Sequence, residues 1–116
     1  MIELNDDYFD DYLSERLHPD VQKTVVIFYG SKSCKNCKET MENISHLNLN
    51  PDDKMELAYM DNTINGIMDV KYPEFYEMSE YPKTVIHYGD INNTEFLEGV
   101  VSVEKLKHIQ EKAKNL

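Results

Sequence analysis

Thr24 to Tyr29 reads TVVIFY, six residues with no polar side chain after Thr24. A strand with one solvated face alternates apolar with polar side chains, because successive side chains point to opposite faces of the sheet. An unbroken β-branched and aromatic run is instead a strand covered on both faces. Whatever this chain folds into must place layers on each side of that strand.

The flanking segments supply such layers. Ile2 to Leu4 can open a sheet, and Asn5 reads as the N-cap of a helix whose first turn carries Asp6 and Asp7. Phe9, Leu13 and Leu17 recur at helical spacing beside Tyr12, and His18-Pro19-Asp20 ends the element. After Gly30 and Ser31, the positions Cys34, Cys37, Met41, Ile44 and Leu47 form a second helical stripe, broken at Pro51-Asp52-Asp53. Met55 to Met60 is a strand, and Asn62 to Glu80 is ambiguous in pattern, with a helical turn or two expected after Pro73. Thr84 to Tyr88 and Glu95 to Glu98 form a hairpin through GDINN, and Ser102 caps a helix with Val103, Leu106, Ile109 and Ala113 on one face. The order predicts a single α/β domain over 1–116, three layers deep. Its central mixed sheet has four to five strands, parallel where helices intervene and antiparallel at the last hairpin.

A chain of 116 residues buries roughly 65% of its unfolded surface, enough for a hydrophobic core without a disulfide staple. With 12 basic against 22 acidic residues and a net charge of −10, nucleic acid and anionic membranes would repel it, which leaves proteins or small thiols as partners. The opening MIELNDDYFDDYL has neither the basic region nor the apolar run of a secretory signal, and no segment approaches the ~18 apolar residues of a membrane span. The expected compartment is therefore cytoplasmic and reducing, where a cysteine pair is more often catalytic or metal-binding than structural.

The two cysteines lie in YGSKSCKNCKET, separated by Lys35 and Asn36. A bridge closing so short a loop would constrain the unfolded chain by only about 2 kcal/mol. A structural zinc site needs four ligands, yet there is no second cysteine pair, and His18, His46, His87 and His108 lack ligand spacing; they are expected to be solvated or locally hydrogen-bonded, with no metal bound. A redox pair fits better. A thiol at a helix N-terminus faces unpaired N–H groups and the positive dipole end, which can bring its pKa from ~8.5 into the range of about 3.5 to 7.5. Lys32, Lys35 and Lys38 make the surroundings electropositive in an otherwise acidic chain.

On these residues the sequence resembles the thioredoxin family. The likeness runs through IELNDDYFDDYL, the strand TVVIFYG leading into Cys34-Lys35-Asn36-Cys37, MELAYMD, Tyr81-Pro82 before TVIHY, and Gly99 ahead of the last helix. It implies the thioredoxin-like three-layer fold, a cis Tyr81-Pro82 bond beside the cysteine pair, and Tyr81 backbone groups offered to an extended substrate peptide. The chain also departs from the family pattern. Ser33 stands where a tryptophan is usual and Lys35-Asn36 where Gly-Pro is usual. Phe28 replaces the buried aspartate that assists proton transfer to the second cysteine, and Leu57 replaces its lysine neighbour. Both buried charges are lost together, so neither is stranded, but Cys37 is left without an evident proton acceptor.

The expected activity is thiol-disulfide exchange, with protein disulfides reduced and no cofactor. Cys34 attacks a substrate disulfide, Cys37 resolves the mixed disulfide, Lys35 supports the thiolate, and Tyr81 and Pro82 orient the substrate. A reductase or small thiol recharges the pair, and the family's usual form is a monomer. The alternative is a thioredoxin-like redox sensor or binding module with little turnover, for which the lost carboxylate, tryptophan and Gly-Pro argue. The aromatic stretch Tyr72 to Tyr81 reads either as a core-packing helix and loop or as an apolar substrate rim.

Overall fold

The computed structural model describes residues 1–116, and TVVIFY lies at its centre. Five strands, β1 (Ile2–Leu4), β2 (Thr24–Gly30), β3 (Met55–Asp61), β4 (Lys83–Tyr88) and β5 (Thr94–Glu98), form one sheet in the order β1-β3-β2-β4-β5. β3 runs parallel to both β1 and β2, whereas β4 is antiparallel to β2 and to β5. Four helices, α1 (Phe9–Arg16), α2 (Lys35–Ile44), α3 (Ile67–Lys71) and α4 (Val103–Lys114), and a 3-10 turn at Pro73–Glu77 complete the chain. No helix is long and apolar enough to cross a membrane.

Every residue of β2 is buried, and its side chains divide between two cores. Val25, Ile27 and Tyr29 join Phe9, Tyr12 and Leu13 of α1, Met68 of α3, and Tyr72 and Phe75 on one face. Val26 and Phe28 join Leu106, Ile109 and Ala113 of α4 on the other, with Ile44 at the end of α2 packed against them. The absence of alternation in the sequence is thus the signature of a strand with a helical layer on each side.

The N-terminal helix begins later than its apparent cap suggests. The Asn5 side chain accepts from the Tyr8 N–H at 2.9 Å, closing a turn, so α1 starts at Phe9 with Asp10 and Asp11 in its first turn. Asp6 caps a different helix: its carboxylate accepts from the backbone N–H groups of Gly66 and Ile67 at the head of α3. The segment left open between Asn62 and Glu80 holds α3 and the 3-10 turn after Pro73.

Phe75 and Tyr72, in that aromatic stretch, are buried against Tyr29 and Phe96, which makes its aromatic residues core packing rather than a rim; among them only Tyr76 is exposed, at 74%. Phe75→Ala is expected to destabilise the protein by about 3–5 kcal/mol. Urea unfolding followed by far-ultraviolet circular dichroism measures this, and a loss under about 1 kcal/mol would contradict the packing.

Candidate functional site

β2 delivers the chain to the carboxyl edge of the sheet, and four residues later Cys34 becomes the N-cap of α2 with φ −77° and ψ 120°. Its extended backbone turns the side chain toward the first amides of the helix. Cys34 Sγ accepts from the Cys37 N–H at 3.2 Å, in the position an Asp or Ser cap oxygen would occupy. The same sulfur lies 3.7 Å from the Tyr81 carbonyl, to which its S–H donates. Both cysteines are free thiols; Cys34 is partly exposed, whereas Cys37 is buried. Burial, reinforced by the hydrogen bond with Cys34, pushes the Cys37 thiol up to about 12.

Gly30 makes room for that buried sulfur. A Cβ placed on it would overlap Cys37 Sγ and stand 3.6 Å from Pro82 Cβ, so β2, α2 and the loop before β4 converge where only a glycine fits. The Tyr81-Pro82 peptide bond is cis, as the resemblance implies. The Pro82 carbonyl accepts from the Gly99 N–H at 3.0 Å. The Tyr81 ring lies against Tyr29, with Lys83 Nζ 4.7 Å from its centroid.

Glu98, a residue the sequence did not single out, pins the approach to this loop. One of its carboxylate oxygens accepts from the Ser79 N–H at 2.7 Å, the Ser79 hydroxyl at 3.0 Å and the Glu80 N–H at 2.9 Å. These donors hold its carboxyl below the usual range. Neither Gly30 nor Glu98 has a local sequence signal, since each acts on residues distant in the chain.

Lys32, Lys35 and Lys38 are exposed around the pair. Lys35 is the first residue of α2, while the hydrogen-bond partners of Cys34 Sγ are the Cys37 amide and the Tyr81 carbonyl. Phe28 and Leu57 are both buried among apolar neighbours. A cavity of about 370 Å³ opens behind Cys37, lined also by Glu3, Ser31, Lys32, Lys38, Met41 and Tyr59. The structure has no group of three or more His, Cys, Asp and Glu side chains that could hold a metal ion.

The histidines divide. His18 makes a local bond, its Nδ1 accepting from the Asp20 N–H at 3.1 Å. His87 departs from the expected pattern: it is buried, with Nε2 2.7 Å from the Tyr72 hydroxyl and Nδ1 unpartnered, because β4 carries it into the core. Burial lowers its pKa. It lines a wide cleft between α1 and the β4–β5 hairpin, a site separate from the cysteines.

No family model and no curated sequence matches the chain. Solved structures do. A chloroplastic thioredoxin z aligns with a TM-score of 0.75 at 12% identity, covering 100% of this chain and 96% of its own. The thioredoxin of Fasciola hepatica aligns with a TM-score of 0.67 at 15% identity, covering 97% of this chain and 99% of its own. The fold is therefore thioredoxin-like, with the C-x-x-C pair at the start of a helix.

Two outcomes follow from the burial of Cys37. At pH 7 iodoacetamide should label Cys34 in the native protein and spare Cys37, whose raised pKa keeps it a thiol until the pH climbs toward about 12; peptide mapping reads the sites, and equal labelling would contradict the geometry. Gly30→Ala should destabilise the protein by about 1–3 kcal/mol through overpacking, read by urea unfolding.

Proposed function

We propose that this thioredoxin-like protein is a thiol-disulfide oxidoreductase that reduces protein disulfides through a Cys34-Cys37 dithiol/disulfide cycle. One observation carries the reading. A partly exposed sulfur accepts a hydrogen bond from the first turn of a helix, and a buried second thiol lies one turn along, beside a cis-proline loop.

Cys34 attacks one sulfur of the substrate disulfide; the substrate S–S bond breaks and its other sulfur leaves as a thiolate. Cys37 then loses its proton and attacks Cys34 Sγ. The mixed disulfide breaks, the reduced substrate leaves, and Cys34 and Cys37 are joined. Two thiols are oxidised to one disulfide as one disulfide is reduced to two thiols. A thiol-disulfide reductase or a small thiol returns the pair to its reduced form. The backbone of Tyr81, already within reach of Cys34 Sγ, would orient an extended substrate segment with Pro82. Lys35, together with Lys32 and Lys38, would favour negative charge at the helix start. The partners are disulfide-containing proteins, the working form a monomer, and the compartment cytoplasmic, although one structural neighbour is a chloroplastic protein.

A second reading, a redox sensor or binding module that seldom turns over, draws on the apolar pair Phe28 and Leu57, which puts no carboxylate beneath the buried Cys37. Insulin-disulfide reduction with dithiothreitol tests the first reading. Wild type should turn over and Cys34→Ser should fall to the uncatalysed rate. Trapping with Cys37→Ser separates the two: many mixed disulfides support the general reductase, whereas a single abundant partner and no insulin turnover support the sensor.

A further inference from the structure

Resolution of the mixed disulfide requires Cys37 to lose a proton, and the structure makes that costly. Its thiol is buried and its pKa raised, and β2 carries no carboxylate, only Phe28 where the family has an aspartate and Gly30 against the sulfur. The sheet register shows where a carboxylate lies instead. Glu3 of β1 pairs with Tyr59 of β3, Tyr59 with Phe28 of β2, Phe28 with Thr84 of β4, and Thr84 with Leu97 of β5. Paired residues present their side chains on the same face about 5 Å apart, so these five form one lateral row. Phe28 and Tyr59 pack on the face covered by α2 and α4, the face on which Cys37 is buried.

Tyr59 links the two ends of the gap. Its hydroxyl donates to the Gly30 carbonyl at 3.1 Å, and Gly30 is the residue against which Cys37 Sγ rests. Burial, with Asp61, Cys37 and Glu3 nearby, pushes the Tyr59 phenol up to about 12, so it stays protonated and is not itself the proton acceptor. Beyond it Glu3 lines the same cavity of about 370 Å³ as Cys37, with Lys32 and Lys38 also on its wall. A water takes about 30 Å³ of liquid volume, so this space is roomy enough for several waters to bridge the two. Asp61, the other carboxylate near this edge, is held by the Thr63 amide and hydroxyl, which lower its basicity, and it does not line the cavity.

We propose that Glu3 is the proton acceptor for Cys37, receiving the thiol proton through water in this cavity past the Tyr59 hydroxyl. The inference rests on the oxidoreductase reading. The proton leaves Cys37 Sγ for the Glu3 carboxylate, the sulfur's electron pair attacks Cys34 Sγ, and the bond between Cys34 and the substrate sulfur breaks. The departing substrate thiolate takes a proton from solvent. Glu3 acts through intervening groups and leaves the first attack, by Cys34, unaffected.

Stopped-flow reaction of the reduced protein with 5,5′-dithiobis(2-nitrobenzoate) separates the steps. Attack by Cys34 releases one thionitrobenzoate, and displacement by Cys37 releases the second; Cys37→Ser should give only the first. Glu3→Gln should leave the first phase within about twofold of wild type and slow the second about a hundredfold, the low end for losing a general base. The acid-side fall in the wild-type second phase should vanish in Glu3→Gln, and Glu3→Asp should restore most of the rate. A second phase within about twofold of wild type in Glu3→Gln overturns the inference, as does equal slowing of both phases, or the same selective loss in Asp61→Asn with none in Glu3→Gln. An unreactive Cys34 in wild type would instead sink the oxidoreductase reading itself.

Discussion

The packing of Cys37 Sγ onto Gly30 fixes the rest of the site. β2 can be the middle strand of a three-layer sheet only because both of its faces are apolar, and it ends where its last residue has no side chain. That missing side chain lets α2 settle with its second cysteine over the strand end and its first at the cap. Pro82 approaches the same point from the neighbouring strand. Two consecutive elements, β2 and α2, and the remote loop before β4 therefore meet at one Cα. The constraint also agrees with a general property of open α/β sheets, whose reactive crevices form beyond the carboxyl ends of the parallel strands.

Burial assigns different tasks to two chemically identical side chains. Cys34 keeps part of its surface and has an amide aimed at its sulfur, an arrangement that suits negative charge. Cys37 is enclosed, and enclosure disfavours its charged form. A resolving thiol gains from this arrangement, because it stays protonated and intact until a mixed disulfide places a reactive sulfur beside it. The drawback is a demanding deprotonation, made harder by the apolar residues at Phe28 and Leu57. Placing the carboxylate at the sheet edge, across Tyr59, relieves the desolvation that a central acid would suffer.

What the sequence made legible were features whose pattern reports their own surroundings. The unbroken apolar run of β2 announced two covered faces, the stripe from Cys34 to Leu47 announced α2, and Ser102 does cap α4, its hydroxyl accepting from the Lys105 amide. Competition between equivalent groups defeated the start of α1: Asn5 and Asp6 are both good caps, and which amides they meet depends on how close α3 lies. The segment from Asn62 to Glu80 has weak local preferences, and the burial of Met68, Tyr72 and Phe75 decides its form. The positions of Cys34, Cys37, Tyr81 and Pro82 could be read along the chain. The roles of Gly30, Glu98 and Tyr59 could not, because each depends on strand register or on a contact with a remote loop.

Glu98 shows how such a remote contact shapes chemistry without touching it. Three donors from Ser79 and Glu80 converge on one of its oxygens, and the next residue, Gly99, bonds to the Pro82 carbonyl. The loop before β4 is thereby held to β5 on both sides of Tyr81. In the proposed cycle a substrate strand docking on Tyr81 would meet a carbonyl whose position is already set, so less conformational entropy would be lost on binding than a free loop would lose. The Tyr81 carbonyl that bonds Cys34 in the reduced protein is also the group a substrate peptide would engage. In the proposed cycle a docking peptide and the Cys34 S–H would compete for one acceptor, which would couple arrival of the peptide to the freeing of the sulfur that attacks it.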